Sequence, residues 1–382
     1  MLQVIPSVDE RSGGPATAIV PMCRVLMQQG IEVLLLSTTA GLTVEVAPGE
    51  VLAHKGVPAI FFESQLGESF KYSRPLSTWL RSNIQNFDVA HIHAVFNHSS
   101  IAAAHVCQKN SVPYVIRPLG TLDPWSMTQK SLRKRLFWQI SGRGIMDHAA
   151  AVHYTSEAEK NATESSLGLN HGKVIPLGVE AAVSLAGKVT NDPYVLVLSR
   201  LHPKKGLDVL IDAFLSLVEA PQFAEWRLVL AGDGQVEYVS TLKAKASSSK
   251  DRIVFAGWVD GDEKNAMLGN ASLLVLPSYQ ENFGLCVMEA MAQSVPVLVS
   301  PNVNLAAEVG AANAGWIAPV DQTALAKTLA EALVDRDELA RRGRAGLQLS
   351  QKYSWENSAR ALADLYRTVI QRRNGSAHVH RV

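Results

Sequence analysis

The sequence predicts two α/β domains, each a doubly wound parallel sheet, facing each other across a cleft. Short β-like apolar runs alternate with helix-length segments in both halves of the chain. A small, polar, aperiodic stretch from Ala181 to Asp192 separates the halves and reads as an interdomain linker. The chain has 382 residues, too many for one ordinary core, and two domains of about 150 to 200 residues fit that length.

Composition narrows the function classes. The chain is 47% apolar and 19% charged with a formal net charge of +1, so bulk charge does not point to nucleic acid. Cys23, Cys107 and Cys286 are scattered and make neither a disulfide framework nor a C-x-x-C metal site, which favours a reducing compartment. The N-terminus has no basic region followed by a long apolar run, and no segment is long and apolar enough to span a bilayer. The histidines form no H-E-x-x-H, and nothing demands a protein-bound metal. A cytoplasmic protein is expected.

The first half opens with a strand over Leu2–Pro6, a loop holding Ser12-Gly13-Gly14-Pro15, a helix over Ala16–Gln29 stopped by Gly30, and a strand over Ile31–Ser37. Glycines at the first turn let a backbone approach a ligand closely. The spacing is not G-x-G-x-x-G, and Ser37 and Thr38 stand where a nicotinamide site would place an acidic residue, which disfavours a dehydrogenase. A strand over Phe87–Ile92 has His91, His93, Asn97 and His98 around its end, and strand ends of this kind point into the cleft. Val112–Arg117 is the next strand, followed by Pro118-Leu119-Gly120-Thr121-Leu122-Asp123. From Pro124 to Met146 there is no acidic residue, while Lys130, Arg133, Lys134, Arg135 and Arg143 are basic and Leu132, Leu136, Phe137 and Ile140 share a helical face. A basic amphipathic helix over 129–146 suits a membrane surface or an anionic acceptor, each basic residue adding about 1 kcal/mol against anionic lipid. A strand over Ala149–Tyr154, a helix capped by Ser156 and a strand over Val174–Leu177 complete this half.

The second half starts with the buried strand Tyr194–Leu198, followed by Ser199-Arg200-Leu201-His202-Pro203-Lys204-Lys205-Gly206 and a helix through Leu217. Arg200 and Lys205, a rigid fork and a flexible ammonium at a strand's carboxyl end, can clamp a diphosphate. Strands over Trp226–Ala231 and Ile253–Ala256 end in Gly232-Asp233-Gly234 and Gly257-Trp258-Val259. Leu273–Leu276, a short polar connection, a helix beginning near Phe283 and a strand over Val295–Val299 form a βαβ crossover. The backbone N–H groups of Asn282, Phe283, Gly284 and Leu285 lie where a helix start can face an anion. Glu281 and Glu289 flank that point. A carboxylate there would repel phosphate, so the two are either simply solvated glutamates or acceptors for hydroxyls. A nucleotide sugar, with hydroxyls on both sides of its diphosphate, is such a ligand. Helices over Thr323–Val334, Asp335–Leu349 and Ser354–Gln371 follow, and Arg372–Val382 reads as frayed.

Glu281-Asn282-Phe283-Gly284 through Glu289, after a buried strand, resembles the E-x7-E signature of retaining GT-B glycosyltransferases of family 4 (glycosyltransferase group 1). Ser199-Arg200-Leu201 with Lys205-Gly206 resembles the same family's S/G-R-L-x-x-x-K-G motif. The resemblance covers nearly the whole chain, is densest from Tyr194 to Pro319, and extends to bacterial surface-polysaccharide enzymes. It implies the GT-B fold, an acceptor-side domain over 1–180, a donor domain over 181–353, and a last helix, 354–371, packing back on the first domain. It implies that Arg200 and Lys205 hold the donor phosphates, Glu281 the sugar hydroxyls and Glu289 the ribose hydroxyls, with Gly13 and Gly14 facing the phosphates and Gly232, Trp258 and Val259 near the base. Many family members carry an acceptor-contacting His after the strand that here is Val112–Arg117. Leu119 occupies its place, so His93 and Asp123 are the substitute acceptor-side candidates.

The expected activity is transfer of a sugar, with retention and without metal or cofactor, from a UDP- or GDP-linked donor to a glycan or lipid-linked glycan in exopolysaccharide, O-antigen or capsule assembly, at the inner face of the plasma membrane. Another GT-B enzyme, such as a nucleotide-sugar epimerase or a phosphorylase, and a catalytically silent nucleotide-sugar binding protein stay open as alternatives.

Overall fold

The structure, a computed structural model, describes residues 1–42, 47–67, 70–128, 134, 136–180, 192–249 and 251–379. Its contacts divide the chain into two compact units, Met1–Gly178 with Trp355–Val382, and Val179–Ser354. Residues 181–191 of the expected linker, and Lys130, Leu132, Arg133 and Arg135 of the expected basic helix, lie outside the described residues.

The first unit runs β1 (Leu2–Val4), α1 (Gly14–Gln28), β2 (Leu34–Thr38), β3 (Val51–His54), β4 (Val57–Phe62), α2 (Arg74–Asn83), β5 (Ala90–His93), α3 (His98–Lys109), β6 (Tyr114–Arg117), α4 (Pro124–Thr128), α5 (Arg143–Asp147), β7 (Ala151–Tyr154), α6 (Glu157–Leu167) and β8 (Gly172–Val174). The sheet order is β3-β4-β2-β1-β5-β6-β7-β8, and only the β3–β4 pairing is antiparallel. The inner strands are buried along their whole length, as covered parallel sheets require.

Several boundaries differ from the sequence expectation. The strand expected over Ile31–Ser37 is Leu34–Thr38, and that expected over Val174–Leu177 is Gly172–Val174. The sequence pattern assigns no element between Thr38 and Phe87, where the structure has β3, β4 and α2. Pro58 inside the run Val57–Phe62 argues against a strand, yet β4 takes it on the side paired with the edge strand β3. The helix expected over 129–146 is helical at its described residues, 134 and 136–146, with a π-helical turn over Trp138–Gly142 that runs into α5, and α4 precedes it. The closing helix, Trp355–Val379, continues past Arg372, where fraying is expected, and residues 380–382 lie outside the described set.

One face of this sheet carries a buried polar layer. Gln3 on β1, His91 and His93 on β5, Arg117 on β6 and His153 on β7 are all buried. His93 Nε2 meets Gln3 Oε1 at 2.7 Å, and His153 Nδ1 meets His91 Nε2 at 3.3 Å. His153 Nε2 also meets the Ile175 carbonyl at 2.7 Å. The closing helix completes the layer, its Tyr366 hydroxyl lying 2.8 Å from His91 Nδ1. Burial, then the neighbouring imidazoles and Arg117, holds His91 and His93 well below the usual imidazole range, and burial with Arg117 lowers His153 to about 3. The layer is therefore neutral apart from Arg117, which burial lowers to about 10 against the opposing pull of Glu159 and Tyr366.

The second unit runs β9 (Tyr194–Leu198), α7 (Leu207–Leu217), β10 (Arg227–Ala231), α8 (Val236–Ala246), β11 (Ile253–Gly257), α9 (Gly261–Asn270), β12 (Leu273–Leu276), α10 (Leu285–Ala292), β13 (Val297–Val299), α11 (Ala306–Ala311), β14 (Gly315–Ile317), α12 (Gln322–Val334) and α13 (Arg336–Ser350). Its sheet is wholly parallel in the order β11-β10-β9-β12-β13-β14. Leu207, Leu210, Ile211 and Phe214 of α7 recur at helical spacing and join Leu228, Leu273 and Leu325 in the core. Strand order reverses between β9 and β12, so the loops leaving their carboxyl ends meet. Gly206 makes that meeting possible. It is left-handed at φ 62°, and a Cβ there would overlap the Pro277 carbonyl oxygen and the Val320 side chain.

Two outcomes follow from these contacts. Gly206→Ala must push apart the loops after β9 and β12, and is expected to cost more than about 1 kcal/mol in urea titration; an unchanged midpoint would contradict the close approach. Below pH 6.5 the unfolded histidines take up protons that His91, His93 and His153 refuse when folded, so the unfolded state binds more protons and stability falls as pH drops from 6.5 toward 3. At pH 5 His153 alone removes about 2 kcal/mol. The urea midpoint is expected to fall between pH 7.5 and pH 5, and Tyr366→Phe, which strands His91 Nδ1, to lower it at both.

Candidate active site

The residues singled out in the second half gather at the carboxyl ends of the second unit's strands. Backbone hydrogen bonds lash these loops together. Leu201 N donates to the Asp233 carbonyl at 2.8 Å, joining the loops after β9 and β10, and Gly232 N donates to Gly257 at 2.6 Å. Tyr279 N donates to Lys204 at 2.9 Å, tying the loop after β12 to the loop after β9. Glu281 is held on both sides, its N–H donating to Asn302 at 3.0 Å and its carbonyl accepting from Asn304 N at 3.1 Å. Its main chain is thus fixed against the loop after β13.

A short helical turn, Pro203–Lys205, is capped by His202, whose Nδ1 accepts from Lys204 N at 3.0 Å. Burial, then the charges of Arg200, Lys204 and Lys205, lowers the His202 imidazole below its usual value, which keeps Nδ1 free to accept. That turn directs Lys205 inward, where its ammonium forms an ion pair with the Glu281 carboxylate. Burial would raise the Glu281 carboxyl. The Lys205 charge and hydrogen bond, with Lys204 and Arg200, outweigh burial and hold it below the usual carboxylate range. Arg200 is exposed, and no carboxylate among the described residues forms an ion pair with it.

Helix α10 begins just beyond Glu281. Gly284 caps it in the left-handed conformation at φ 71° and makes no side-chain cap bond. Phe283 is buried against Tyr353 and sets the loop's entry. The positive end of this helix, the Arg200 and Lys205 cations and the Glu281 carboxylate therefore share one small region, able to hold an anion and a hydroxyl-bearing group side by side. Glu289 lies in the second turn of α10, and Lys264 Nζ on α9 donates to its Oε1 at 2.8 Å. Cys286 lies between the two glutamates, but burial pushes its thiol up to about 12, so it stays protonated and is no nucleophile.

The structure thus brings Arg200, Lys205, Glu281, Asn282, Phe283, Gly284, Leu285 and Glu289 together on the adjoining loops after β9 and β12. Gly232, Trp258 and Val259 stand on the neighbouring loops, with Trp258 Nε1 donating to Asp260 Oδ2 at 3.2 Å. In the first unit, Gly13 and Gly14 form the entry to α1. Asp123 immediately precedes α4 and is partly exposed. His93 is corrected by the structure, because its ring turns into the sheet, is buried and bonds Gln3, so it offers nothing to an acceptor.

Two residues escape the sequence reading. Lys264 has no local mark, since its partner is on another helix. Glu159 could have been found as the fourth residue of the S-x-x-E capping box begun by Ser156. Its buried carboxylate accepts from Gly120 N at 2.7 Å and Thr155 N at 2.8 Å, fixing the loop that carries Leu119 at φ 61°.

Comparison with known proteins agrees with this geometry. Residues 12–183 match the model of Glycosyltransferase Family 4, and residues 184–348 match that of glycosyl transferases group 1. A phosphatidyl-myo-inositol mannosyltransferase of Mycobacterium leprae is 27% identical over 385 residues, 96% of each chain. Sucrose-phosphate synthase of Thermosynechococcus elongatus superposes with a TM-score of 0.78 at 20% identity, over 97% of this chain and 99% of that one. HepE of Anabaena, solved with UDP and glucose, gives a TM-score of 0.73 at 19% identity, over 96% and 99%. With two Rossmann-like domains and both family models matched end to end, the chain belongs to the GT-B glycosyltransferases of family 4, the glycosyl transferases group 1.

Proposed function

We propose that this glycosyltransferase moves a sugar, with retention of anomeric configuration, from a UDP- or GDP-linked donor to a glycan or lipid-linked glycan acceptor of surface-polysaccharide assembly. The observation that carries the donor reading is the Lys205–Glu281 ion pair at the glycine-capped start of α10, with Arg200 beside it. The diphosphate takes the place of bulk anion before the helix and between the two cations. Glu281 accepts from the sugar hydroxyls and Glu289 from the ribose. The acceptor hydroxyl attacks the anomeric carbon on the face from which the phosphate departs. As that bond breaks, charge grows on the leaving oxygen, and Arg200, Lys205 and the helix end stabilise it. These protein cations do the work a metal would do, and no cofactor takes part. The nucleotide seen with HepE, UDP, supports this donor class.

The first unit takes the acceptor. Asp123 and the loop held by Glu159 stand at the carboxyl edge of its sheet. A membrane-held acceptor is favoured by one observation: Leu136 and Ile140 are 59% and 72% exposed beside Arg143, on the segment after α4. No described helix is long and apolar enough to cross a membrane; an exposed apolar pair beside a basic residue suits contact with its surface.

Calorimetry with UDP, GDP and ADP tests the donor reading. One nucleotide is expected to bind, with Lys205→Ala and Arg200→Ala each losing transfer by about 100-fold or more while the fold is kept. Wild-type rates in either variant would refute the clamp. Turnover of the nucleotide sugar without acceptor would mark an epimerase instead, and binding without any transfer a silent binding protein. For the surface contact, the Leu136→Asp, Ile140→Asp double variant is expected to lose co-sedimentation with phosphatidylglycerol vesicles; equal pelleting of variant and wild type would exclude this segment.

A further inference from the structure

We infer that Lys264 is a positioning residue of the donor site, which holds the Glu289 carboxylate in the orientation that receives the ribose hydroxyls. The inference rests on the donor reading above and concerns a residue on a different helix from either motif.

Shielding is the first observation. Most ion pairs among the described residues are open to water on at least one side, as in Lys327–Glu331 and Arg367–Asp364, and such pairs hold little. Two have both side chains less than a quarter exposed. One is Lys205–Glu281, at 14% and 19%. The other is Lys264–Glu289, at 22% and 19%. Both site glutamates thus stand in such shielded pairs, and each lysine comes from the segment following another strand: β9 for Lys205 and β11 for Lys264.

Geometry is the second. Glu289 is four residues beyond the first residue of α10, about 6 Å along the axis, so it stands about one turn from the anion-binding end. A free glutamate there would swing through several rotamers and oppose the incoming diphosphate. Lys264 removes both faults. Its 2.8 Å bond occupies one lone-pair position of Oε1 and leaves the others, with all of Oε2, to accept from a vicinal diol. The ammonium also cancels the carboxylate charge while leaving its acceptor capacity intact. A neutral glutamine could not replace the pair, since its amide would donate where a hydroxyl must donate. Lys264 itself needs a fixed base, and it has one in the first turn of α9, after Asp260.

The test separates ribose recognition from simple stabilisation of the fold. Affinities for UDP against 2′-deoxy-UDP, and for GDP against 2′-deoxy-GDP, are measured by calorimetry on the full chain. Wild type is expected to prefer the ribose form by about tenfold or more, as loss of a hydrogen bond to a charged group implies. Lys264→Met should reduce that preference toward the value for Glu289→Ala, with the loss falling on the ribose nucleotide and hardly on the deoxy one. Lys264→Arg should restore much of it, and in transfer assays the effect should fall on donor KM more than on kcat. Lys264→Gln serves if the methionine variant does not fold. A wild-type ribose preference in Lys264→Met or Lys264→Gln, alongside its loss in Glu289→Ala, would overturn the role of Lys264 and leave the donor reading standing. If Glu289→Ala itself keeps the wild-type preference, the donor assignment of Glu289 fails, and the role of Lys264 with it.

Discussion

A site that must welcome a diphosphate and recognise hydroxyls is under an electrostatic conflict. Carboxylates are the best acceptors for hydroxyl groups, yet beside a phosphate their charge is unwelcome. The second unit resolves this by giving each site glutamate a lysine of its own. Glu281 has Lys205 and Glu289 has Lys264, both shielded from water. The exposed Arg200 and the start of α10 then remain in surplus on the positive side. On the proposed donor reading, the glutamates without these pairings would repel the ligand they are to orient.

That arrangement depends on backbone more than on side chains. Lys205 reaches Glu281 because the loops after β9 and β12 touch, and they touch because Gly206 has no Cβ to keep Pro277 away. Glu281 stays in place because its main chain is bonded on both sides to the loop after β13. A parallel sheet puts all these loops at one edge, where three strands' worth of connections can be bonded to each other. The chemistry is carried by a few ionic groups. Their positions are set by peptide groups that any sequence with the right glycines could supply.

The sequence made visible what is local. Arg200 and Lys205 fall in one turn, and Glu281 and Glu289 in one loop and helix, so spacing alone reveals them. Lys264 was hidden because its partner is 25 residues away on another element. The histidines of β5 misled for a similar reason: alternation shows that His91 and His93 share a face, but not that this face is covered by helix rather than solvent. Their covering residue, Tyr366, is 275 positions from His91. The β3–β4 pair was concealed by Pro58, whose placement against an edge strand only the tertiary structure reveals. The π-helical turn at Trp138–Gly142 likewise interrupts a stretch whose apolar period suggests one continuous helix.

The bond from Tyr366 to His91 also sets an order of events during synthesis. The first unit's sheet is complete once β8 has left the ribosome, but the helix that seals its polar layer is translated only after the whole second unit. For the whole time in which the second unit is made, Gln3, His91, His93, Arg117 and His153 lack their cover. At about 5 to 20 residues per second that interval lasts roughly 10 to 40 seconds. A nascent chain in that state offers a half-finished domain to chaperones and proteases. Any truncation before Tyr366, even one that spares every site residue of the second unit, leaves the first unit permanently in it.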